Sequence, residues 1–407
     1  MNYDLLTIQE SSSSIKSNAG KIDSFKNSDI QRVGIRRFEG GKIFQASRLG
    51  ASTLDQLIAD TREWGGPGIP HDYGFAPAAK ESRKSEANIS QVFEDFEACL
   101  EKVRTQFPEY VFKGGCEKSS SQISLTSDYG LDLHTSGSHS EWYIMYQLKG
   151  SGNVIDGYFG ETSIQPQVKE VFDSQLKYLE LKGKKAKLES GKLPVLFTAP
   201  TEPIDKLIES LRINTYQEKA GLFSGKMGEK LFHDKINLID SAYDPRIGKI
   251  SFFDGEGSLR KDDNLTLVKN GKITGLMSDL RFAKKYHSTS SANGRRAYNS
   301  GVNVMSQSLR FAAGEKPWQE ILNSLDRCLV AVVAAGGDTN DLGEFSTPVQ
   351  IGYIFEKGQL VGLAPQLTVK STVSNYLGAG LIDVASNGFY RDSAGAAVIS
   401  EMYILIS

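Results

Sequence analysis

Histidine and cysteine are scarce in this chain, with five and three residues respectively among 407. Cys99, Cys116 and Cys328 lie far apart and are odd in number, so neither a disulfide framework nor a CxxC metal clip fits them. A reducing cytoplasm is the simplest home for such thiols. Long apolar runs are missing, which excludes a membrane-spanning helix of the usual ~20 residues. The polar, serine-rich stretch from Met1 to Asp29 has no basic region followed by an apolar run and does not read as a secretory signal. Neither sign of charge dominates: 47 Lys and Arg stand against 49 Asp and Glu, for a net charge of −2. Nothing in that balance calls for nucleic acid or an acidic membrane as a partner.

Catalytic signatures are missing as well. No HExxH occurs, no GxSxG elbow, no GxxxxGK[ST] loop, and no GxGxxG after a strand. A cysteine nucleophile needs a histidine base brought to it by folding. The sequence leaves that open for Cys116 and Cys328, although Cys328 begins the apolar run Cys328–Ala335, where a buried structural thiol is the plainer reading.

What is present is an ordinary globular composition, 39% hydrophobic and 24% charged, in a chain long enough for two cores. Gln31–Phe38 and Lys42–Leu49 flank Glu39-Gly40-Gly41 and read as a hairpin. A helix is expected over Thr53–Trp64, capped by Thr53. Gly65–Glu86 has loop composition, and a loop of that length is functional or mobile. Phe93, Phe96, Leu100, Val103 and Phe107 recur at helical spacing until Pro108. Tyr110–Tyr158 reads as strands, with turn signals at Gly114-Gly115, Asp128-Tyr129-Gly130 and Gly150–Gly152. Val168–Leu179 reads as a helix, and the basic stretch Lys182–Lys192 as a linker. The second half opens with a strand at Pro194–Thr198 and a helix over Thr201–Tyr216. Hairpins follow around Asn270-Gly271 and Lys357-Gly358, with short helices at Ser278–Tyr286 and Pro317–Leu325. The fold class expected is α+β in two domains. Residues 1–188 form a mixed domain of antiparallel sheet and helices, and residues 189–407 form a β-rich domain.

Three groups of residues carry chemistry. His134 and His139, separated by Thr-Ser-Gly-Ser, are expected to face each other across a hairpin loop beside Asp132 and Glu141. Two loop ligands fall short of the three a catalytic zinc needs, so a solvated hairpin tip is the plainer reading. Asp254-Gly255-Glu256 places two carboxylates in a turn after the expected strand Lys249–Phe253, suited to acid–base work or simply to a polar turn. Asn293-Gly294-Arg295-Arg296 offers two guanidinium groups, which can hold a carboxylate bidentately or form a structural ion pair.

From Pro194 onward, the order of features resembles the TldD/PmbA family, whose PmbA branch is also called TldE. "GKLPVLFTAP", "GLFSGKMGEKL" (Gly221–Leu231), "FFDGEG" with Asp254 and Glu256, "LVKNGKITGLMSDLRFAKK", "ANGRRAYN" and "GGDTNDLGEFSTPVQIGYIFEKGQL" carry the likeness. Upstream, "SDIQRVGIRRFEGGKIFQASRLGASTLDQLI" and "TSDYGLDLHTSGSHSEWYIMYQLKG" resemble the N-terminal hairpin and the long strand pair of the family. The helix that usually precedes that hairpin has no counterpart here.

Members of the TldD type are zinc peptidases with an HExxxH helix and a distal cysteine ligand. Counted back from Phe223-Ser224-Gly225, those helix positions fall on Ile204, Asp205 and Glu209, and the distal ligand falls near Phe389 or Tyr390. The resemblance therefore implies a PmbA/TldE-like member with no catalytic residues, metal or cofactor of its own. It also implies a zinc-bearing, TldD-like catalytic partner and an unfolded or ribosomally made peptide as substrate. On that reading Asn293, Gly294, Arg295, Arg296, Asp254 and Glu256 are candidates for substrate or partner binding. A stand-alone homo-oligomeric peptide-binding protein and a hydrolase with a different active site are the alternatives.

Overall fold

The computed structural model describes residues 1–334 and 337–406. The serine-rich N-terminus, expected to lie outside the first hairpin, is a strand. β1 (Asn2–Asn18) pairs along its whole length with β2 (Lys21–Glu39), which continues into β3 (Lys42–Leu49) through the expected glycine turn. The other edge of β1 pairs with β6 (Tyr110–Ser127) from Asp4 to Asn18. Ser11–Ser14 lack the β-branched alternation that marks a strand in sequence. They are strand because a neighbour on each side takes up their backbone hydrogen bonds.

The N-terminal sheet has eight strands, in the order β4-β3-β2-β1-β6-β7-β5, with β8 also on β7. β7 is Leu131–Leu148 and β8 is Gly157–Ser163. The expected loop at 65–86 contains two strands, β4 (Ile69–Pro70) and β5 (Ala79–Lys84), the latter running parallel to β7. The turn expected at Gly114-Gly115 lies instead within β6. A Cβ on Gly114 would stand 2.5 Å from the Tyr143 carbonyl oxygen, so that glycine serves close packing.

Three helices cover one face of this sheet at its two ends. α1 (Leu54–Glu63) begins with a reciprocal capping box between Thr53 and Gln56 and buries Leu57 against Val33 and Ile35. α2 (Val92–Gln106) and α3 (Val168–Leu179) pack Phe96, Leu100, Val103 and Phe172 on Phe112, Trp142 and Phe159.

The segment expected as a linker is held in place: the Leu363 amide donates to Lys184 O and the Ala186 amide to Leu363 O, each at 2.8 Å. It leads into β9 (Gly191–Phe197). The expected helix at 201–216 is broken into α4 (Asp205–Ser210) and α5 (Ile213–Gln217). Between them the backbone of Leu211 and Ile213 pairs with Met277, and this tertiary bonding overrides helix propensity.

The strands that follow are β10 (Leu238–Ser241), β11 (Tyr243–Asp244), β12 (Lys249–Ile250), β13 (Asn264–Lys269) and β14 (Lys272–Ile273). After them come α6 (Leu280–Lys285), β15 (Gly294–Arg295), β16 (Asn303–Val304), β17 (Leu309–Phe311), α7 (Trp318–Asn323) and β18 (Cys328–Ala334). The last are β19 (Asp338–Thr339), β20 (Glu344–Glu356), β21 (Gln359–Leu363), β22 (Leu367–Thr372), β23 (Leu381–Val384) and β24 (Val398–Ile406). The expected strand over 249–253 is thus only two residues long. Ala335 of the expected strand and Gly336 of the glycine–Asp turn lie outside the described residues.

In the second eight-stranded sheet, β18 pairs with both β9 and β20, so β18-β9-β24-β22-β20 close into a ring. Val195, Phe197, Leu329, Val369 and Met402 of these strands share one buried cluster with Leu238 and Leu267 of the four-stranded sheet β14-β13-β10-β17. The result is an α+β protein with a mixed N-terminal region and a β-rich C-terminal one.

The two regions meet on the sheet face opposite the helices. Leu6, Leu125 and Leu133 pack against Phe252 and Phe253. Gly34 of β2 lies so close to the 290s loop that an added Cβ would stand 1.9 Å from Tyr298 O. Gly34→Ala should therefore cost about 1–3 kcal/mol in urea unfolding, while Gly152→Ala, with nothing within 4 Å, should cost far less. Equal midpoints for the two variants would refute this account of the contact.

Candidate functional site

The turn Asp254–Gly257 and the loop Asn293–Arg296, forty residues apart, dock on each other at the junction between the two regions. Asp254 Oδ1 accepts from the amides of Glu256 (2.9 Å) and Ser258 (3.0 Å), and Oδ2 accepts from Gly294 N at 2.9 Å. The Gly255 amide returns a bond to Gly294 O at 2.7 Å. A Cβ on Gly294 would stand 2.9 Å from a carboxylate oxygen of both Asp254 and Glu256. Only glycine lets the acidic pair approach this backbone.

Glu256 Oε2 accepts from Leu280 N at the start of α6, at 2.8 Å. Its other oxygen faces Arg36 of β2, with Nη1 at 3.8 Å, and has no hydrogen-bond partner among the described residues. Arg36 grips Asp4 of β1 through Nε and Nη2, Arg296 reaches the same carboxylate at 2.8 Å, and Tyr129 donates to it at 3.0 Å. Asp4, Arg36, Asp254 and Glu256 are all buried. Burial alone would push the Asp4 carboxyl up, but Arg296 and Arg36 together outweigh it and hold the group below its usual range. Burial pushes Asp254 and Glu256 up, and their proximity adds to the shift on Glu256. Both carboxyls are thereby shifted toward their protonated forms beside the ionised Asp4.

Asn293 is a buried tie: its amide donates to Asp240 Oδ2 and Met305 O, each at 2.8 Å, and its oxygen accepts from Arg260. Arg295 differs from Arg296, since it is half-buried and donates to Ser306 O at 3.0 Å. All six candidate residues thus fall in one neighbourhood, with Asp254 bonding Glu256 and Gly294 and the other side chains tied to residues outside the set.

Sequence reasoning missed Asp4, Arg36 and Tyr129. It also missed the aromatic strap over them, in which Phe75 stacks on Tyr129 (4.4 Å) and meets Phe38 edge-on (4.8 Å). The signal available was Arg36-Arg37 inside the apolar run of β2, a placement that calls for buried partners. The hairpin tip expected at His134 and His139 does not exist. Both lie within β7, five residues apart and so on opposite sheet faces, and His134 Nε2 pairs with Asp132 at 2.7 Å.

Residues 190–404, more than half of the chain, match the family described as PmbA/TldA metallopeptidase C-terminal domain. The chain belongs to the PmbA/TldD family. It is also similar to an uncharacterized protein of Methanocaldococcus jannaschii, 21% identical across 88% of this chain and 86% of that one. The fold is shared with TldE from Thermococcus kodakarensis (TM-score 0.85, 16% identity), over 100% of this chain and 97% of the other. It is shared too with a candidate modulator of DNA gyrase from Thermotoga maritima (TM-score 0.81, 17% identity), over 99% and 96%.

The residues at which the resemblance places metal ligands do not fit a zinc ion as a set. Ile204 is fully buried and carries no donor atom. Asp205 accepts from the Lys206 amide at 2.8 Å, and Glu209 is an exposed partner of Lys206 at 3.4 Å. Phe389 packs on Trp318 at 4.8 Å, and burial first, then neighbouring tyrosines, push the Tyr390 phenol well above its usual range, keeping it neutral. Zinc prefers thiolate, imidazole and carboxylate ligands. Among the described residues no three His, Cys, Asp or Glu side chains gather in a metal-binding group.

The acidic pair has a pH signature. The folded-state pKa of each group is raised, so its contribution to stability is full below the unfolded pKa and is lost as pH rises through the folded one. Urea midpoints should fall from pH 6 to pH 9, and Glu256→Gln should shrink that fall by an amount on the order of 1 kcal/mol. An identical fall in both proteins would refute the raised Glu256 carboxyl.

Proposed function

We propose that this chain is a TldE-like, non-catalytic subunit of a peptide-processing metallopeptidase. It completes a substrate channel with a TldD-like partner, which supplies the zinc. The observation that supports this reading is that Ile204, Asp205, Glu209, Phe389 and Tyr390, where the resemblance places the metal ligands, do not make up a three-ligand zinc set. One missing ligand can be replaced by a neighbour, whereas here an aliphatic side chain, an exposed carboxylate bonded to its neighbour's amide, an exposed ion pair and two packed aromatics leave no three-ligand set to repair. The fold shared with the archaeal TldE supports the subunit role. When bound in the partner, zinc polarises the scissile carbonyl and activates water.

This chain contributes walls. Strand-rich surfaces suit unfolded or ribosomally made peptides, because an extended backbone can satisfy its hydrogen bonds along a sheet. Asn293, Gly294, Asp254 and Glu256 hold the junction in shape, and Arg295 is the member of the candidate set with side-chain surface left for peptide or partner. The setting is the cytoplasm.

Co-expression with a TldD-like protein from the same cell should give a stable complex on size-exclusion chromatography. Zinc and turnover of an unstructured peptide should appear in the complex and not in the isolated chain. Stoichiometric zinc or cleavage in the isolated chain would overturn the proposal. So would a chain that stays monomeric at micromolar concentration with the partner present.

A further inference from the structure

The outer edge of β2 is open along half its length. β1 pairs with β2 from end to end, whereas β3 pairs only with Arg32–Glu39, and the last bond on that side runs from Gly50 N to Gln31 O at 2.9 Å. Among the described residues no strand pairs with the outer edge of Lys21–Ile30. The segment contains no proline, and its register irregularity is at Asp23. It is also anchored. β6 holds β1 from Asp4 to Asn18, and at the hairpin tip the Gly20 amide donates to Phe112 O at 3.0 Å. Such an edge presents N–H and C=O groups ready for another strand, and little reorganisation is needed to use them.

Apolar side chains stand along the same edge. Ile22, Phe25 and Ile30 are exposed, Phe25 at 61%, and Leu49, 68% exposed, ends β3 opposite Arg32. The charges say what covers them. In chain order they alternate as Lys21, Asp23, Lys26 and Asp29, all four exposed and, among the described residues, in no ion pair. A second copy laid antiparallel reads the same string backwards. With Phe25 at the two-fold axis, the two Phe25 rings meet. Lys21 then comes to Asp29 and Lys26 to Asp23, each within one residue of direct opposition. A parallel copy in register would set lysine on lysine. Lysines ordinarily guard an edge against strand addition, and here the alternation guards against every match but the reversed one.

We propose that two copies of this chain form a symmetric dimer through the Lys21–Ile30 edge of β2, joining their N-terminal sheets strand to strand. The interface is isologous, since one patch serves both copies. Backbone bonds and the apolar side chains supply affinity, and the charge string supplies register and direction. The contact involves no metal and no catalytic partner, so it does not rest on the subunit reading above.

The test uses the isolated full-length chain in sedimentation velocity at micromolar concentration, where a dimer is expected. Two double variants change only exposed side chains. Lys21→Asp with Lys26→Asp makes the edge wholly acidic, and Asp23→Lys with Asp29→Lys makes it wholly basic. Each should weaken self-association about tenfold or more, because two pairs from each strand become like-charged. Mixing the two variants should restore a dimer, which also shows that both are folded. A crosslink gives a second readout, since the native cysteines are all buried. Under mild oxidation Phe25→Cys should yield a covalent dimer and Val154→Cys, 91% exposed on another loop, should not. A monomeric wild-type chain, or a dimer indifferent to both charge reversals, overturns the proposal. Edge variants that leave the isolated chain unchanged but abolish its complex with a TldD-like protein would give the edge to that partner instead of a second copy.

Discussion

The Asp4 carboxylate is the point on which the rest of the structure depends. It sits in the first strand, fully buried, and takes guanidinium groups from Arg36 of the next strand and Arg296 of the C-terminal half. A single carboxylate thus ties together positions 292 residues apart. Removing one partner from a buried pair costs about 3–5 kcal/mol, because the remaining charge has no water to turn to. The orientation of the junction is therefore specified by charge, while Leu6, Leu133, Phe252 and Phe253 beside it supply non-directional apolar burial.

That arrangement constrains everything around it. Two arginines brought in for Asp4 leave an excess of positive charge, which the Asp254–Glu256 pair meets with one carboxylate too many. Backbone amides compensate part of the excess: Asp254 accepts three and Glu256 one. Burial also shifts both carboxyls of the pair toward their neutral forms. The same geometry requires a bare Gly294 beneath both carboxylates and a bare Gly34 beneath the loop that delivers Arg296. Glycines and charges at this junction are one design, since a side chain at either glycine would separate the groups that neutralise one another.

Much of the fold was legible because its local signals agree with its tertiary structure. The Thr53 cap, the apolar stripe of α2, and Asn270-Gly271 and Lys357-Gly358 with both residues of each pair at positive φ are of this kind. What was illegible depends on neighbours. Ser11–Ser14 carry no strand pattern and are strand through β2 and β6. The broken helix at 205–217 depends on Met277. The candidate site shows the same division. Asp254-Gly255-Glu256 and Asn293-Gly294-Arg295-Arg296 stood out as unusual strings, but only the fold reveals that they meet, and only the fold separates Arg296, spent on Asp4, from Arg295. Asp4 was invisible, because a lone acid in a polar N-terminus has no signature until its arginines are placed.

The separation of the two arginines bears on why the junction keeps buried charges. Ile204, Phe389 and Tyr390 pack locally, whereas Asp205 and Glu209 are exposed carboxylates. The junction, by contrast, has kept an expensive set of buried charges. Apolar replacement of a buried ion cluster is commonly neutral or stabilising, so stability alone gives little reason to retain one. A charge-specified junction does hold β2, the 250s turn and the 290s loop in one fixed relation. A cluster that fixes one orientation gains specificity, which apolar burial alone does not supply.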